Sequence, residues 1–357
     1  MNRRIVVERP VSRPSSGRVK IGLLLAILVL TIFVSLSMGA VDLGIQRILS
    51  VLVEKVIQMT TRNPPQTSTV EEVIVLQIRL PRVLIGAAVG ASLAVSGVVF
   101  QAIFKNPMAD PFVTGVSSGA ALGASIGIVA GVGRATFGLG FISITAMLGA
   151  LGAILLVSMV SKAGPGDQTL RLLLSGLSVN YLFSALTSMI MILSGEELHA
   201  VISWLMGGLT GSTWVHVELG VPVAMFGFIG TYLSSREMNV MLLSDEEAQH
   251  LGVDVERTRR RLLLLASATT AVAVSLTGTI GFVGLITPHI ARAIFGPDHR
   301  ILVPTSAILG SIMLVMSDAV ARTILIPSEI PVGIITSLLG GPFFMYLLAS
   351  RMKTVSP

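Results

Sequence analysis

A few charged side chains stand inside otherwise apolar sequence, and they are the first candidates for chemistry. Arg79 and Arg82 bracket Pro81 in the stretch QIRLPRVLIG, directly before a long apolar run. Asp318 and Arg322 are four residues apart, so on a helix they can form an ion pair. Cations at the mouth of an apolar helix can anchor it at lipid headgroups, line a pore or bind an acidic partner. These residues alone leave the three uses open.

Signatures of the common catalytic sites are absent from the sequence. It contains no GxxxxGK[ST] loop for ATP phosphates, no HExxH zinc motif and no GxSxG nucleophile. The absence of cysteine excludes a disulfide framework and a thiolate metal site. His289 and His299 are isolated from other metal-ligating residues, so we expect structural roles for them. We therefore predict that the chain is not an enzyme and holds no metal or cofactor of its own.

The composition is that of a membrane protein. Of the 357 residues, 52% are hydrophobic and 12% are charged, whereas soluble domains have about 25% charged residues. The formal net charge of +6 could indicate nucleic-acid binding, but the basic residues lie in loops and tails. They are not interleaved with aromatic residues that could stack on bases, so nucleic-acid binding is excluded as a function.

About 20 apolar residues are needed for a helix to cross the hydrocarbon core. The sequence predicts an all-α polytopic membrane protein with ten spans, of which the eighth is short and interrupted by Pro288, His289 and Arg292. The predicted spans are 21–41, 83–104, 112–130, 138–161, 170–193, 215–235, 262–280, 282–296, 302–320 and 332–350.

Basic residues predict the orientation of these spans. Residues 1–20 carry six of the 25 lysines and arginines, and the apolar run that follows is read as an uncleaved first span rather than a signal peptide. Since cytoplasmic loops are enriched in Lys and Arg, we predict that both termini are cytoplasmic. The predicted domains are a basic tail (1–20), a transmembrane domain (21–350) and a C-terminal tail (351–357). Arg79, Arg82 and Arg322 then lie on the outer side.

The longest predicted cytoplasmic loop, about 236–261, has a helical pattern of its own. Ser244 followed by three acidic residues predicts a helix N-terminus, because carboxylates there complement the helix dipole. Gly252 is expected to end this helix. Ala248, Leu251 and Val255 form an apolar stripe, which fits either a compact loop or a lever inserted into a groove of another protein.

The scarcity of carboxylates in the predicted spans bears on how transport through this chain would be driven. Ion-coupled carriers usually place carboxylates in the middle of the membrane, and here these are nearly absent. A self-sufficient secondary transporter is therefore disfavoured. A non-transport scaffold or receptor remains a second alternative, against which the pattern of the long loop argues.

Several stretches resemble the FecCD-type permease family, the membrane subunits of iron-siderophore, haem and cobalamin ABC importers. The resemblance runs from about residue 20 to the end of the chain. The matching stretches are IRLPR from Ile78, NPMADPFVTGVSSGAALGA from Asn106, WLMGGL from Trp204, LGVDVERTR from Leu251, GFVGLITPHIAR from Gly281, GPDHR from Gly296 and PVGIITSLLGGPFFMYLL from Pro331.

The resemblance implies an architecture and a set of partners. Members of this family are type II ABC importer permeases with ten spans and an inverted repeat that relates spans 2–5 to spans 7–10. They imply a second permease subunit (the same chain or a paralogue), two cytoplasmic ATPase subunits that bind ATP and Mg²⁺, and a periplasmic or lipid-anchored binding protein. The implied location is the cytoplasmic (inner) membrane, and the implied cargo is a metal chelate, with a ferric siderophore favoured over haem and cobalamin.

The resemblance also implies roles for particular residues. Arg79, Arg82 and Arg322 match family positions that pair with glutamates of the binding protein. The loop around residues 244–258 matches the helices that couple the permease to the ATPase. The expected coupling residues are Asp245, Glu246, Ala248, Leu251, Gly252 and Val253.

Overall fold

A computed structural model describes residues 14–39, 41, 43–61, 69–131, 139–162 and 168–352. Within these ranges the chain is helical and contains no strand. The two predicted tails lie largely outside the described residues.

In the described part of the chain, seven helices have the length and composition to cross a membrane. Three shorter apolar helices lie where the third, eighth and tenth spans were predicted. In chain order, the helices at the ten predicted positions are α1 (Pro14–Ser37), α4 (Leu80–Ile103), α5 (Val116–Val129), α6 (Leu139–Lys162), α7 (Gln168–Leu193), α9 (Trp214–Leu233), α12 (Val255–Thr277), α13 (Val283–Phe295), α14 (His299–Thr323) and α15 (Val332–Met352).

Shorter helices occupy the connections between these elements. They are α2 (Ile45–Thr61), α3 (Val70–Val73), α8 (Leu198–Leu205), α10 (Ser235–Val240) and α11 (Asp245–His250). A π-helical segment, Ile74–Arg79, leads directly into α4, and a 3₁₀ turn, Pro111–Thr114, precedes α5. Only α11 was anticipated from the sequence; α2 is amphipathic and too short and polar to register as a span.

Helix α4 is the centre of the bundle, with α14, α12, α13 and α9 packed around it. Its closest approach to α14 depends on Gly90 and Gly310. A Cβ added to Gly90 would lie 2.3 Å from the Gly310 carbonyl oxygen, so only glycine permits this contact. Small residues are the means by which helices approach in lipid, where packing rather than hydrophobicity drives association.

The bundle has two ends that can be told apart by their side chains. The N-terminal end of α4 carries Arg82 and meets the C-terminal ends of α1 and α14; we call it the Arg82 end. The C-terminal end of α4 meets α11 and the start of α12 around Asp245; we call it the Asp245 end. Candidate site residues lie at both ends.

Candidate functional site

Arg79 joins α1 to the segment that leads into α4. Its guanidinium is buried and donates to the carbonyl oxygens of Leu36 (2.6 Å) and Ser37 (3.1 Å), and also to that of Val41. The last carbonyls of a helix have no partner within the helix. Arg79 therefore caps the end of α1, and its charged group faces this chain's own backbone.

Arg82 lies in a charge cluster that comprises the buried residues Arg82, Asp318 and Arg322 and the more exposed Glu329. Arg82 Nη2 is 2.9 Å from Asp318 Oδ1, and Arg82 Nη1 is 3.0 Å from both carboxylate oxygens of Glu329. Arg82 is 8% exposed and Asp318 is 2% exposed. The cluster thus ties α4 to α14 and to the segment between α14 and α15.

Arg322 completes the charge cluster from the last turn of α14. Its Nε is 3.1 Å from Asp318 Oδ2, which confirms the ion pair predicted from the four-residue spacing. Its Nη2 donates to the backbone carbonyl (3.1 Å) and the hydroxyl (2.8 Å) of Ser35 in α1. Two arginines and two carboxylates therefore compensate one another, and none of the three predicted docking arginines presents a free guanidinium in this conformation.

Glu329 is the most accessible member of the charge cluster. Partial burial raises the pKa of this carboxyl, but Arg82 and the Thr210 hydroxyl, 2.8 Å away, outweigh burial, so its pKa lies below the ordinary value of 4.5. Sequence reasoning missed Glu329 because it lies outside every span and motif. The signal that the sequence offered for Glu329 was an acidic residue directly before Ile330 and Pro331.

Glu329 also stands at the rim of a cavity of about 820 Å³ at the Arg82 end. The wall includes Trp204 and Thr210 before α9, His216 in its first turn, and Thr277 at the end of α12. A second cavity, about 530 Å³, is lined by α5, α15 and the chain around Met206, without a charged side chain. Both volumes fall in the range of small-molecule sites, roughly 300–1,000 Å³.

At the Asp245 end, α11 begins and ends as the sequence predicts. The Ser244 hydroxyl accepts from the Glu247 backbone N–H, and the Glu247 carboxylate accepts in return from the Ser244 backbone N–H, which is a capping box. Gly252 follows the helix with φ +80°, a conformation that side chains rarely adopt. The predicted helix and its glycine end are confirmed.

The apolar stripe of Ala248, Leu251 and Val255 runs from α11 to the start of α12 and is divided between the core and the surface. Ala248 and Val255 are buried in this chain's own core, while Leu251 is 61% exposed. Val253 is half-buried, and Glu246 is exposed. Leu242 and Leu243, which precede the helix, are exposed apolar residues that the sequence reading overlooked.

Asp245 forms ion pairs with two cations at this end. Its Oδ1 is 3.1 Å from Lys105 Nζ and its Oδ2 is 3.2 Å from Arg259 Nη2. Burial raises the pKa of Asp245, but the hydrogen bonds from Lys105 and Arg259 outweigh it and hold the pKa below the ordinary value of 3.8. The start of α11 is thus fixed by two cations from other elements.

The two histidines considered from sequence have structural contacts. His299 is buried, and its Nδ1 lies 2.7 Å from Asn239 Oδ1. The His289 ring packs edge-on against Phe343, with ring centroids 5.9 Å apart. Among the described residues, no group of three or more His, Asp or Glu side chains could hold a metal ion.

Comparison with known proteins places this architecture among the membrane subunits of ABC transporters. One solved structure, a metal-chelate type ABC transporter in an inward-facing conformation, superposes with a TM-score of 0.80 at 32% sequence identity. The superposition covers 93% of this chain and 99% of that one. The chain belongs to the FecCD transport family, whose sequence profile matches residues 27–350.

Two curated relatives illustrate the range of the family. The cobalamin import system permease protein BtuC of Halobacterium salinarum is 49% identical over 58% of this chain, and the alignment covers only 55% of that relative's length. The iron(3+)-hydroxamate import system permease protein FhuG of Bacillus subtilis is 32% identical over 90% of this chain and 94% of its own length.

Proposed function

We propose that this chain is the permease subunit of an ABC importer that carries a metal chelate across the cytoplasmic membrane. The observation that carries the proposal is the whole-chain similarity to a metal-chelate type ABC transporter, at 32% identity and a TM-score of 0.80. Partner ATPases supply ATP hydrolysis, with ATP and Mg²⁺ bound on those subunits. A binding protein delivers the chelate, and a second permease subunit completes the membrane domain.

In this proposal the Asp245 end faces the cytoplasm, together with both termini, and the Arg82 end faces outward. Predominance of basic residues in the corresponding loops supports this orientation. Leu251 and the exposed pair Leu242 and Leu243 then form the apolar contact with the ATPase, with Glu246 beside them. Gly252 sets the turn that directs α12 into the membrane.

The cargo class follows from the relatives. A ferric siderophore is favoured by the similarity to FhuG over nearly the whole chain. Cobalamin is the second candidate, since BtuC shares the higher identity of the two over part of the chain. The two cavities beside α5, α8 and α15 are the space through which such a chelate would pass.

A spectroscopic experiment tests the cargo. The cognate binding protein, isolated with its ligand, should show a ferric-siderophore charge-transfer band. A corrinoid spectrum would identify the cargo as cobalamin, and a Soret band would identify it as haem.

A copurification experiment tests the ATPase partner. We expect an ATPase chain to copurify with the tagged permease; a permease that never retains an ATPase would contradict the ABC assignment.

Docking through the arginines needs a different test, because Arg82 is already held by Glu329. An incoming carboxylate must compete with Glu329 for Arg82 Nη1. Replacing Glu329 with Gln should therefore tighten binding-protein association by about two- to fivefold, since a solvent-exposed pair is worth under ~1 kcal/mol. Binding measured in nanodiscs is the readout, with Glu218→Gln as the control. Unchanged affinity in Glu329→Gln would show that Arg82 does not take part in docking.

A further inference from the structure

Lys105 occupies a backbone position that normally belongs to glycine. It follows α4 with φ +47°, in the left-handed region. The Asn106 N–H donates to the Gln101 carbonyl (3.2 Å) and the Lys105 N–H to the Ala102 carbonyl (3.3 Å). This pair of bonds is the Schellman motif, in which glycine is preferred at the position held here by lysine. A non-glycine residue in this conformation is strained and persists where its surroundings hold it there.

The Lys105 side chain reaches out of this turn to the start of α11. Its Nζ donates to the Leu243 carbonyl at 2.7 Å and lies 3.1 Å from Asp245 Oδ1. The other oxygen of Asp245 binds Arg259 at 3.2 Å, in the first turns of α12. One carboxylate therefore joins the end of α4, the start of α11 and the start of α12.

Beyond Lys105, the connection to α5 is held by its own hydrogen bonds. Asn106 Oδ1 accepts from the Met108 N–H, and Asp110 Oδ1 accepts from the Phe112 N–H, each at 2.9 Å. The Phe112 carbonyl in turn accepts from Asn180 Nδ2 of α7 at 3.1 Å. Local hydrogen bonds therefore hold the connection between Lys105 and α5, and one of them joins it to α7.

We propose that Lys105 and Asp245 form a tether that makes α11 move together with the end of α4, and so transmits motion of α11 to α5 and α7. The inference rests on the proposed function, in which an ATPase moves α11. Lys105 acts here as a positioning residue, which touches neither ATP nor the chelate.

The contact between Lys105 and Asp245 contributes little to the stability of the fold. The Lys105 and Asp245 side chains are 40% and 49% exposed, and ion pairs of that exposure contribute little to folding. Replacing Lys105 with Gly removes the tether and also relieves the left-handed strain. The variant should therefore be at least as heat-stable as the parent and yet lose the tether. If the role of Lys105 were merely structural, losing the tether would also lower the heat stability.

The first measurement concerns the tether itself and needs no ATPase. Because the sequence contains no cysteine, Met108→Cys and Gln249→Cys place two spin labels on the exposed connection and on α11. Pulsed dipolar spectroscopy in nanodiscs should give a narrow distance distribution in the parent and a broad one in Lys105→Gly and Asp245→Asn. Arg260→Met is the matched control, since Arg260 is an exposed cation on α12. A distance distribution in Lys105→Gly as narrow as the parent's would show that Lys105 does not hold α11 to the end of α4.

The second measurement concerns transmission. In proteoliposomes with the ATPase and the binding protein, Lys105→Gly should raise the ATP hydrolysed per chelate imported by roughly fivefold or more, the lower range of coupling between linked sites. Asp245→Asn should raise this ratio less in the Lys105→Gly background than in the parent, because the link to Lys105 is already lost there. A broadened distance with an unchanged ratio would refute transmission. If the parent complex shows no ATP-dependent import, the proposed function fails, and the distance measurement alone decides the tether.

Discussion

At the scale of residues, the three arginines of the Arg82 end are engaged by groups of this chain. Arg79 caps α1, while Arg82 and Arg322 share Asp318 between them. A buried charge is tolerated when it is paired and hydrogen-bonded, and loss of one partner leaves the other uncompensated. A charge reversal at Arg82 would therefore disturb folding as well as any docking, and the two effects need separate measurements.

Replacing Arg82 with Met should destabilise the protein strongly, since Asp318 and Glu329 lose a shared cation. Breaking a buried pair typically costs about 3–5 kcal/mol. Thermal unfolding in nanodiscs should show a clear loss of stability in Arg82→Met. The matched control is Arg47→Met, because Arg47 pairs with Glu71 on the surface, and there little change is expected. Equal stability losses in the two variants would contradict the burial argument.

The pH response of the Asp245 contact follows from its lowered pKa. A carboxyl whose pKa is depressed by folding contributes stability that is present above its ordinary pKa and is lost as pH falls through the lower, folded value. The ordinary value is 3.8, so the contact should persist from neutral pH down to about pH 5. Label distances between Met108→Cys and Gln249→Cys, measured across that range, should not change. Broadening already at pH 6 would show that Asp245 is not held by Lys105 and Arg259.

At the scale of elements, α11 is a short helix that several contacts fix to the rest of the bundle. The helix is only six residues long, yet it has a capping box, a glycine end and ion pairs to two neighbours. Ala248 anchors it in the core, in the same buried cluster as Val255, the first residue of α12. We therefore expect α11 to move together with the elements that hold it.

Gly252→Val should weaken coupling between ATP hydrolysis and import, while membrane insertion stays normal. A Cβ at Gly252 would meet no atom within 4 Å, so the effect comes from φ +80° and not from a clash. A β-branched residue in this conformation is strained and will reorient α11. Gly341→Val is the control, since it also has open space and has no left-handed φ. Import and ATPase stimulation like the parent's in Gly252→Val would show that this turn does not set the position of α11.

Sequence reasoning recovered the elements better than their contacts. All ten predicted spans have a helix at their positions, and α11 was located from Ser244 and Gly252, because hydropathy and capping are local signals. The sequence left open whether Ala248 and Val255 face this chain or a partner, because an apolar stripe does not distinguish the two. Contacts such as Arg82 to Glu329 and Lys105 to Asp245 join residues far apart in sequence, and no local pattern encodes them.

At the scale of the whole molecule, the two ends of α4 carry different charge arrangements. At the Arg82 end a compensated and largely buried charge cluster joins the ends of α1, α4 and α14. At the Asp245 end an exposed tether links α4 to α11 and α12. The two ends of α4 thus differ in burial, because the ion pairs between Asp318 and its two arginines are buried and the pair between Lys105 and Asp245 is exposed.

Import through this chain is driven by ATP hydrolysis on a partner subunit. The most direct measurement is uptake of the chelate into proteoliposomes that hold the permease, the ATPase and the binding protein, with ATP and ion gradients varied independently. Uptake should require both ATP and the binding protein, and it should continue when proton and sodium gradients are collapsed. Accumulation driven by an ion gradient in the absence of the ATPase would contradict the claim and identify the chain as a secondary transporter.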